Sequence, residues 1–210
     1  RKNPLTSDIS TADDWRDAGL NQLVREVESV RVVDSGATPE IHTRVRYSAL
    51  EGGYHLESVW KFGRDGSISL RHQFLPFGEL PFLPRIGVDW VLAPQFNQLT
   101  WLGHGPHENY PDRLASAFPG VWSGTVDGQY VPYSRPQATG NKEGVRWIAL
   151  RNQEGTGLLF ASRDEPFSAT ALHYTTTDLD EAAHTNELKP RAEVFLTLDA
   201  AQMGLGNSSC

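Results

Sequence analysis

Between residues 41 and 62 the chain twice alternates apolar and polar side chains with a period of two. In 41–49, Ile41, Thr43, Val45, Tyr47 and Ala49 fall on one side, and His42, Arg44, Arg46 and Ser48 on the other. In 54–62, Tyr54, Leu56, Trp60 and Phe62 fall inward, and His55, Glu57 and Lys61 outward. Successive side chains of a strand point to opposite faces, so this is the pattern of half-buried antiparallel strands; a helix, with period 3.6, would scatter it. Arg64-Asp65-Gly66 supplies a tight turn into 67–74, and 54–74 is predicted to be a hairpin. Apolar, β-branched or aromatic runs predict further strands at 24–33, 85–93, 97–102, 145–152, 157–163, 167–174 and 192–198. Two short helices are expected. One spans 11–20, capped by Thr11 with Asp14 reciprocating, stopped by Gly19 and anchored by Trp15; the other spans 177–184. The proline-spaced stretch 75–84 reads as a connection that cannot sit inside a sheet. Residues 114–144 contain Pro119-Gly120, Asp127-Gly128 and Thr139-Gly140-Asn141, and are expected to be long and irregular, with short strand potential at 129–133. About ten antiparallel strands with little helix make the chain all-β, a large antiparallel β-sandwich with one or two short helices and a single domain over 1–210.

Composition narrows the partners. At 210 residues the chain is long enough for a substantial core. A net charge of −7 argues against nucleic acid and anionic membrane, both of which attract clustered Lys and Arg. No apolar run approaches the roughly 18 residues of a membrane span. A single cysteine, Cys210, excludes an internal disulfide and fits a reducing compartment. The chain opens on Arg1 and closes on a turn-like stretch, and is expected to be a segment of a longer polypeptide.

The densest polar stretch is Trp101-Leu102-Gly103-His104-Gly105-Pro106-His107-Glu108-Asn109-Tyr110-Pro111-Asp112-Arg113. So much Gly and Pro excludes a helix, and Pro106 and Pro111 exclude a central strand. A strand is therefore predicted to end near Trp101 and Leu102, and 103–113 to be an ordered loop, the usual place for a site or a buried corner. His104 and His107 beside Glu108 invite a zinc reading, but Gly105 and Pro106 forbid the helix on which two histidines would share an ion, so no metal site is assigned. Buried charge must be paired, and Glu108, Asn109, Asp112 and Arg113 have the makings of a hydrogen-bonded corner tying the loop to the sheet.

Residues 103–113 resemble the Gly-x-Gly-Pro-x-Glu-Asn-Tyr-x-Asp-Arg motif of the large bacterial β-galactosidases of glycoside hydrolase family 2. In that family the motif lies in the C-terminal domain, called domain 5 or the small chain. Arg85-Ile86-Gly87 before the motif, Tyr130-Val131-Pro132-Tyr133 and Arg135-Pro136-Gln137 after it, and Gln202-Met203-Gly204-Leu205-Gly206 near the end resemble the same domain in the same order. Arg1, Pro4 and Asp8 depart in spacing from the family's Arg-x-Pro-x-Asp-Asn-Asp motif, and no role is carried over to them.

The resemblance implies a galactose-mutarotase-like supersandwich within a retaining enzyme that hydrolyses terminal β-D-galactosides such as lactose. Retention needs two carboxyl groups roughly 5 to 5.5 Å apart, and the resemblance implies that both glutamates sit on a separate (β/α)₈ barrel. No catalytic residue is therefore expected on this chain, which alone should be inactive. Its implied role is to support the barrel and lend one loop to the sugar pocket, with barrel and galactoside as partners. The family's magnesium and sodium lie on other domains, so no cofactor is expected on this chain, and a cytoplasmic location is implied. In the family an aromatic residue, often Trp, follows the Met-Gly turn and packs on the sugar, while some members carry Cys. Cys210 stands at about that position, and a thiol offers far less stacking area than an indole. His104, Glu108 and Asn109 are further candidates for sugar contact, with the structural corner preferred for the loop. Trp122 is the tryptophan expected to have a chance of exposure as a sugar platform. Two alternatives belong to other classes: a free-standing carbohydrate-binding module, and an aldose-1-epimerase-type enzyme in which His184 with Glu187, or His173 with Glu193, would act as acid and base.

Overall fold

The structure, a computed structural model, describes residues 11–34 and 38–204. Arg1, Pro4, Asp8, the Thr11 side chain and Cys210 lie outside the described part. The chain divides into two compact units, one ending at Leu83 and one beginning at Pro84.

The first unit opens with helix α1 (Thr11–Asp17). Gly19, at φ 77°, ends it in the left-handed conformation that glycine tolerates best, and a 3₁₀ turn (Leu20–Gln22) follows. Trp15 anchors the helix, its indole N–H donating to the Phe82 carbonyl at 2.9 Å. Strands β1 (Val24–Val33), β2 (Glu40–Ser48), β3 (Gly52–Phe62) and β4 (Ile68–Gly78) then form an antiparallel meander in chain order. The register Trp60↔Ile41 and Trp60↔Leu70 puts the alternating apolar residues on one face. There the Tyr47, Tyr54 and Phe74 rings pack in series at 4.8 and 4.5 Å. On the other face Arg44 pairs with Glu28 and Glu57, and Glu40 with His42 and Lys61.

The expectation that 75–84 only connects is corrected by this sheet. Strand β4 continues to Gly78, and Pro76 stands opposite Tyr54 in the ladder. Strand β4 is at the sheet edge, where a residue without an N–H is tolerated because one side of the strand needs no donor.

The second unit is a two-sheet sandwich. One sheet has the order β10-β9-β6-β7, from β6 (Gln98–Gly105), β7 (Phe118–Thr125), β9 (Trp147–Arg151) and β10 (Gly157–Ala161). The other has the order β5-β12-β11-β8, from β5 (Arg85–Leu92), β8 (Lys142–Val145), β11 (Phe167–Leu172) and β12 (Val194–Gln202). All pairings are antiparallel. Between the sheets Leu99, Trp101, Ile148 and Leu150 meet Ala169, Ala171, Val194 and Leu196 in one buried cluster. Helix α2 (Thr176–Glu181) starts one residue ahead of the predicted 177–184 and stops three short of it. Thr175 caps it in a reciprocal box with Asp178, which also holds Arg191.

Three expectations change in this unit. The strand before the motif runs on past Leu102 to Gly105, pairing Gly103, His104 and Gly105 with Gly120, Pro119 and Phe118. The segment 114–144, expected to be irregular, contains β7, an edge strand that accommodates Pro119; residues 130–133 form no strand. The single strand predicted at 145–152 is two strands in different sheets, parted at Arg146, whose N–H donates to the Leu102 carbonyl at 2.9 Å. The chain crosses from one layer to the other at that corner.

Candidate functional site

Where β6 leaves its sheet, the loop Pro106 to Tyr110 turns back over the end of the sandwich into a 3₁₀ turn (Pro111–Ser116). Asn109 has no exposed surface. Its backbone N–H donates to the Asn141 carbonyl at 2.8 Å, and its own carbonyl accepts from the Asn141 side-chain amide at 2.8 Å. Its side chain accepts from the Glu143 N–H at 2.8 Å and donates to the His107 carbonyl at 3.0 Å. One buried amide thus clamps the loop to the approach of β8, satisfying every polar atom it hides.

Glu108 is the centre of charge. Only 7% of its side chain is exposed. The carboxylate accepts from the Tyr133 hydroxyl, the Arg113 guanidinium, the Thr139 hydroxyl at 3.1 Å and the Gly140 N–H at 2.7 Å. Burial raises its pKa, but the hydrogen bonds from Tyr133 and Gly140 and the positive charge of Arg113 outweigh that, and it lies below the ordinary value. Arg113 stacks 4.8 Å from the centre of the Tyr110 ring, and burial holds the Tyr110 phenol well above its usual range.

Beneath this lies Lys142, 2% exposed. Its ammonium donates to the Gly140 carbonyl at 2.9 Å and stands 5.2 Å from the centre of the Trp101 ring. Burial pushes it down to about 8, against an opposing pull from Glu108. Next along the strand the Glu143 carboxylate accepts from Asn141 at 2.6 Å, Ser168 at 2.8 Å and Gln202 at 2.9 Å, joining β8, β11 and β12. Arg85 grips Asp199, whose pKa is raised by burial against the pull of that arginine.

The structure brings Glu108, Asn109 and Arg113 into one corner and distributes the other candidates. His104 is half-buried, its Nδ1 donating to the Glu143 carbonyl at 3.2 Å, while His107 meets the Ser116 hydroxyl at 3.2 Å. The two rings therefore serve different partners, and among the described residues no group of three His, Cys, Asp or Glu is arranged to hold a metal ion. Glu187 accepts from the backbone N–H groups of Ala183 and His184, at 2.8 and 3.3 Å, as a turn cap. His173 donates Nδ1 to the Glu193 backbone carbonyl at 2.9 Å. Neither pair is set as an acid and base facing across a cleft. Trp122 lies half-buried on β7 against the core cluster, its indole N–H donating to the Phe118 carbonyl at 3.3 Å. An open cleft of about 390 Å³, with Pro94, Gln95, Asn97 and Gln98 facing Asn152, Gln153 and Glu154, has no aromatic wall.

The residues that complete the corner, Tyr133, Thr139, Gly140, Asn141, Lys142 and Glu143, come from the segment expected to be irregular. Tyr133 belongs to a block that resembles the family. Asn141, Lys142 and Glu143 carry no burial signal of their own, because polar residues are buried there by partners distant in sequence.

No helix among the described residues is long and apolar enough to cross a membrane. The family described as beta galactosidase small chain matches residues 2–210. The chain is 35% identical over 211 aligned residues to a beta-galactosidase of Arthrobacter sp. (strain B7), covering 96% of this chain and 20% of that protein. It is 34% identical over 200 residues to a beta-galactosidase of Vibrio cholerae, covering 91% and 18%, and 40% identical over 131 residues to Beta-galactosidase BgaC of Bifidobacterium adolescentis, covering 61% and 12%. The chain thus spans about a fifth or less of the length of the curated relatives it matches. With a match over nearly its whole length and an all-β fold of three antiparallel sheets, the chain belongs to the beta-galactosidase small chain family.

Proposed function

We propose that the chain is the C-terminal β-sandwich domain of a retaining β-galactosidase, supporting a separate catalytic barrel and closing one side of the galactoside pocket through the segment that ends at Cys210. The observation that carries this reading is the pairing of a family match over residues 2–210 with relatives some five times longer. The site chemistry agrees with it. Glu108, the most heavily engaged carboxylate of the motif, is bound by four donors and held anionic, unlike a general acid, whose pKa must be raised towards the working pH. Apolar side chains stand exposed on both units, Val30 and Val32 on β1 and Val121 and Leu159 on the second, at 60 to 71%, and would be available for cover by the rest of such an enzyme. Magnesium and sodium are assigned to other parts of the parent.

The test is a nitrophenyl galactoside assay on the isolated chain, with an NMR titration of galactose and lactose alongside. No turnover and no binding at millimolar sugar is the expected result. Hydrolysis well above blank would overturn the assignment of the catalytic carboxylates to another domain. Binding without turnover would favour the carbohydrate-binding module instead.

A further inference from the structure

Strand β1 is a margin of the first sheet, and among the described residues β2 is its one neighbour. Every residue of β1 except Ser29 is exposed, with Val24, Val27, Val30 and Val32 at 47 to 71%. The backbone groups of such an edge that point away from its neighbour are ready to pair with another strand.

Charges and bulges usually guard an edge against that pairing. In β1 both favour it, provided the incoming strand is a second β1. Laid antiparallel about a two-fold axis between Glu28 and Ser29, Glu26 of each copy faces Arg31 of the other. Val27 then faces Val30, and Val24 faces Val33. In an uninterrupted strand residues 26 and 31 would lie on opposite faces, as would 27 and 30. The bulge between Val27 and Ser29 removes that mismatch. Glu26 and Arg31 stand opposite Arg46 and His42, on one face of β2, and Val27 and Val30 opposite Val45 and Thr43, on the other. Each pair of this register is therefore matched in face, and its two residues turn their backbone groups to the same side.

The side chains opposite Glu26 and Arg31 within the sheet are committed elsewhere. Arg46 lies 4.9 Å from the centre of the Phe77 ring, and His42 is paired with Glu40. Glu28, the acidic residue nearest the axis, is held by Arg44 and His55 of its own sheet, which relieves repulsion between the two copies. We infer that β1 is an interaction surface for a second copy of this chain, joined strand to strand with two reciprocal Glu26–Arg31 ion pairs across the axis. Such a contact needs neither galactoside nor barrel, so it stands apart from the proposed function.

The test is sedimentation equilibrium of the 210-residue chain and of charge variants at exposed positions. Two short strands make a small interface, so a reversible dimer with a dissociation constant on the order of 100 µM is expected. Glu26→Arg and Arg31→Glu each set like charges against one another and should weaken self-association at least about ten-fold. Mixing the two variants restores opposite charges across the axis, and a heterodimer at about the wild-type constant is expected. The double variant Glu26→Arg/Arg31→Glu should recover self-association in the same way. Circular dichroism melts of each variant verify that it is folded, and the mixture keeps the test decisive should the double variant fold poorly. A chain that stays monomeric to about 1 mM would overturn the inference and leave β1 to another partner. Association indifferent to both reversals, or not recovered in the mixture, would overturn it too, and would point to unspecific stacking of apolar edges.

Discussion

Glu108 and Lys142 show how burial acts in opposite ways on the two signs of charge. Glu108 is surrounded by donors to its charged form, so its folded pKa lies below its unfolded value near 4.5. Its contribution to stability is therefore present above that value and is lost as pH falls through the folded pKa. Glu108→Gln is expected to cost about 2 kcal/mol at pH 7, less than the roughly 3 to 5 kcal/mol of a broken buried pair, because Arg113 is 45% exposed and can rehydrate. Urea midpoints at pH 6 and pH 3 check both points: the wild type should lose more stability than the variant on acidification. Lys142 behaves in the reverse sense. Its pKa falls from 10.5 to about 8 through burial, so between those values the unfolded chain binds more protons and stability rises with pH. At about 1.4 kcal/mol for each pH unit, holding the charged lysine at pH 7 costs on the order of 3 kcal/mol. Lys142→Met forfeits the bond to Gly140 but removes that burden. It is expected to stabilise the chain by about 1–2 kcal/mol at pH 7 and to abolish the rise between pH 8 and 10.5, read from urea melts across that range.

At the scale of elements, the motif strand depends on a contact that its sequence does not announce. Gly105 lies under the Trp122 ring, where a Cβ would stand 2.6 Å from Cδ1 and 2.8 Å from Nε1. The ring is packed against the core cluster, so Gly105→Ala must displace either the indole or the strand, and about 1–3 kcal/mol of stability should be lost in a thermal melt. What could be read in advance was whatever one strand decides alone. The alternation in 41–62 was legible because that sheet has one charged and one apolar face, and the hairpin at Arg64-Asp65-Gly66 because the turn residues adjoin both strands. Pro76 and Pro119 misled because a proline excludes only a central strand, and whether a strand is an edge depends on pairing order rather than local sequence. The corner was half legible: Glu108, Asn109 and Arg113 stand out within eleven residues, whereas Asn141 and Glu143 are polar residues whose burial is decided by Asn109, Ser168 and Gln202. Strand β1 poses an edge problem of its own. Val30 and Val32, 60% and 71% exposed, lie on an unpaired margin that can template association. Val30→Lys with Val32→Lys should lower the light scattering of concentrated isolated chain while changing stability by no more than about 0.5 kcal/mol for each substitution.

Across the whole molecule the apolar burial is unevenly shared. The cluster of Leu99, Trp101, Val145, Ile148, Leu150, Val194 and Leu196 belongs entirely to the second unit, closed between two sheets. In the first unit, among the described residues, Val45 is the one buried hydrophobic side chain, and it keeps 8% of its surface exposed; Tyr54, Leu56, Trp60 and Phe74 are each partly exposed. Ladder hydrogen bonds are plentiful in both units, so the difference lies in what shields them from water and in what free energy must be supplied to open each unit. A sheet held by half-covered rings and by exposed ion pairs such as Arg44 with Glu28 opens at lower cost, since exposed pairs contribute little and partly buried rings recover only part of their transfer free energy. Native-state hydrogen exchange on the isolated chain should therefore find the amides of β2 and β3 opening more readily than those of β6, β9, β11 and β12, although β3 lies between two neighbours as β9 does. Equal protection in the two units would mean that ladder pairing rather than apolar burial governs local stability in this fold. If the first unit is the weaker as expected, and if the proposed barrel covers its half-exposed face, adding the rest of that larger polypeptide should slow exchange at β2 and β3 by a larger factor than at β9, because cover gained on a half-exposed face stabilises most where least is buried already.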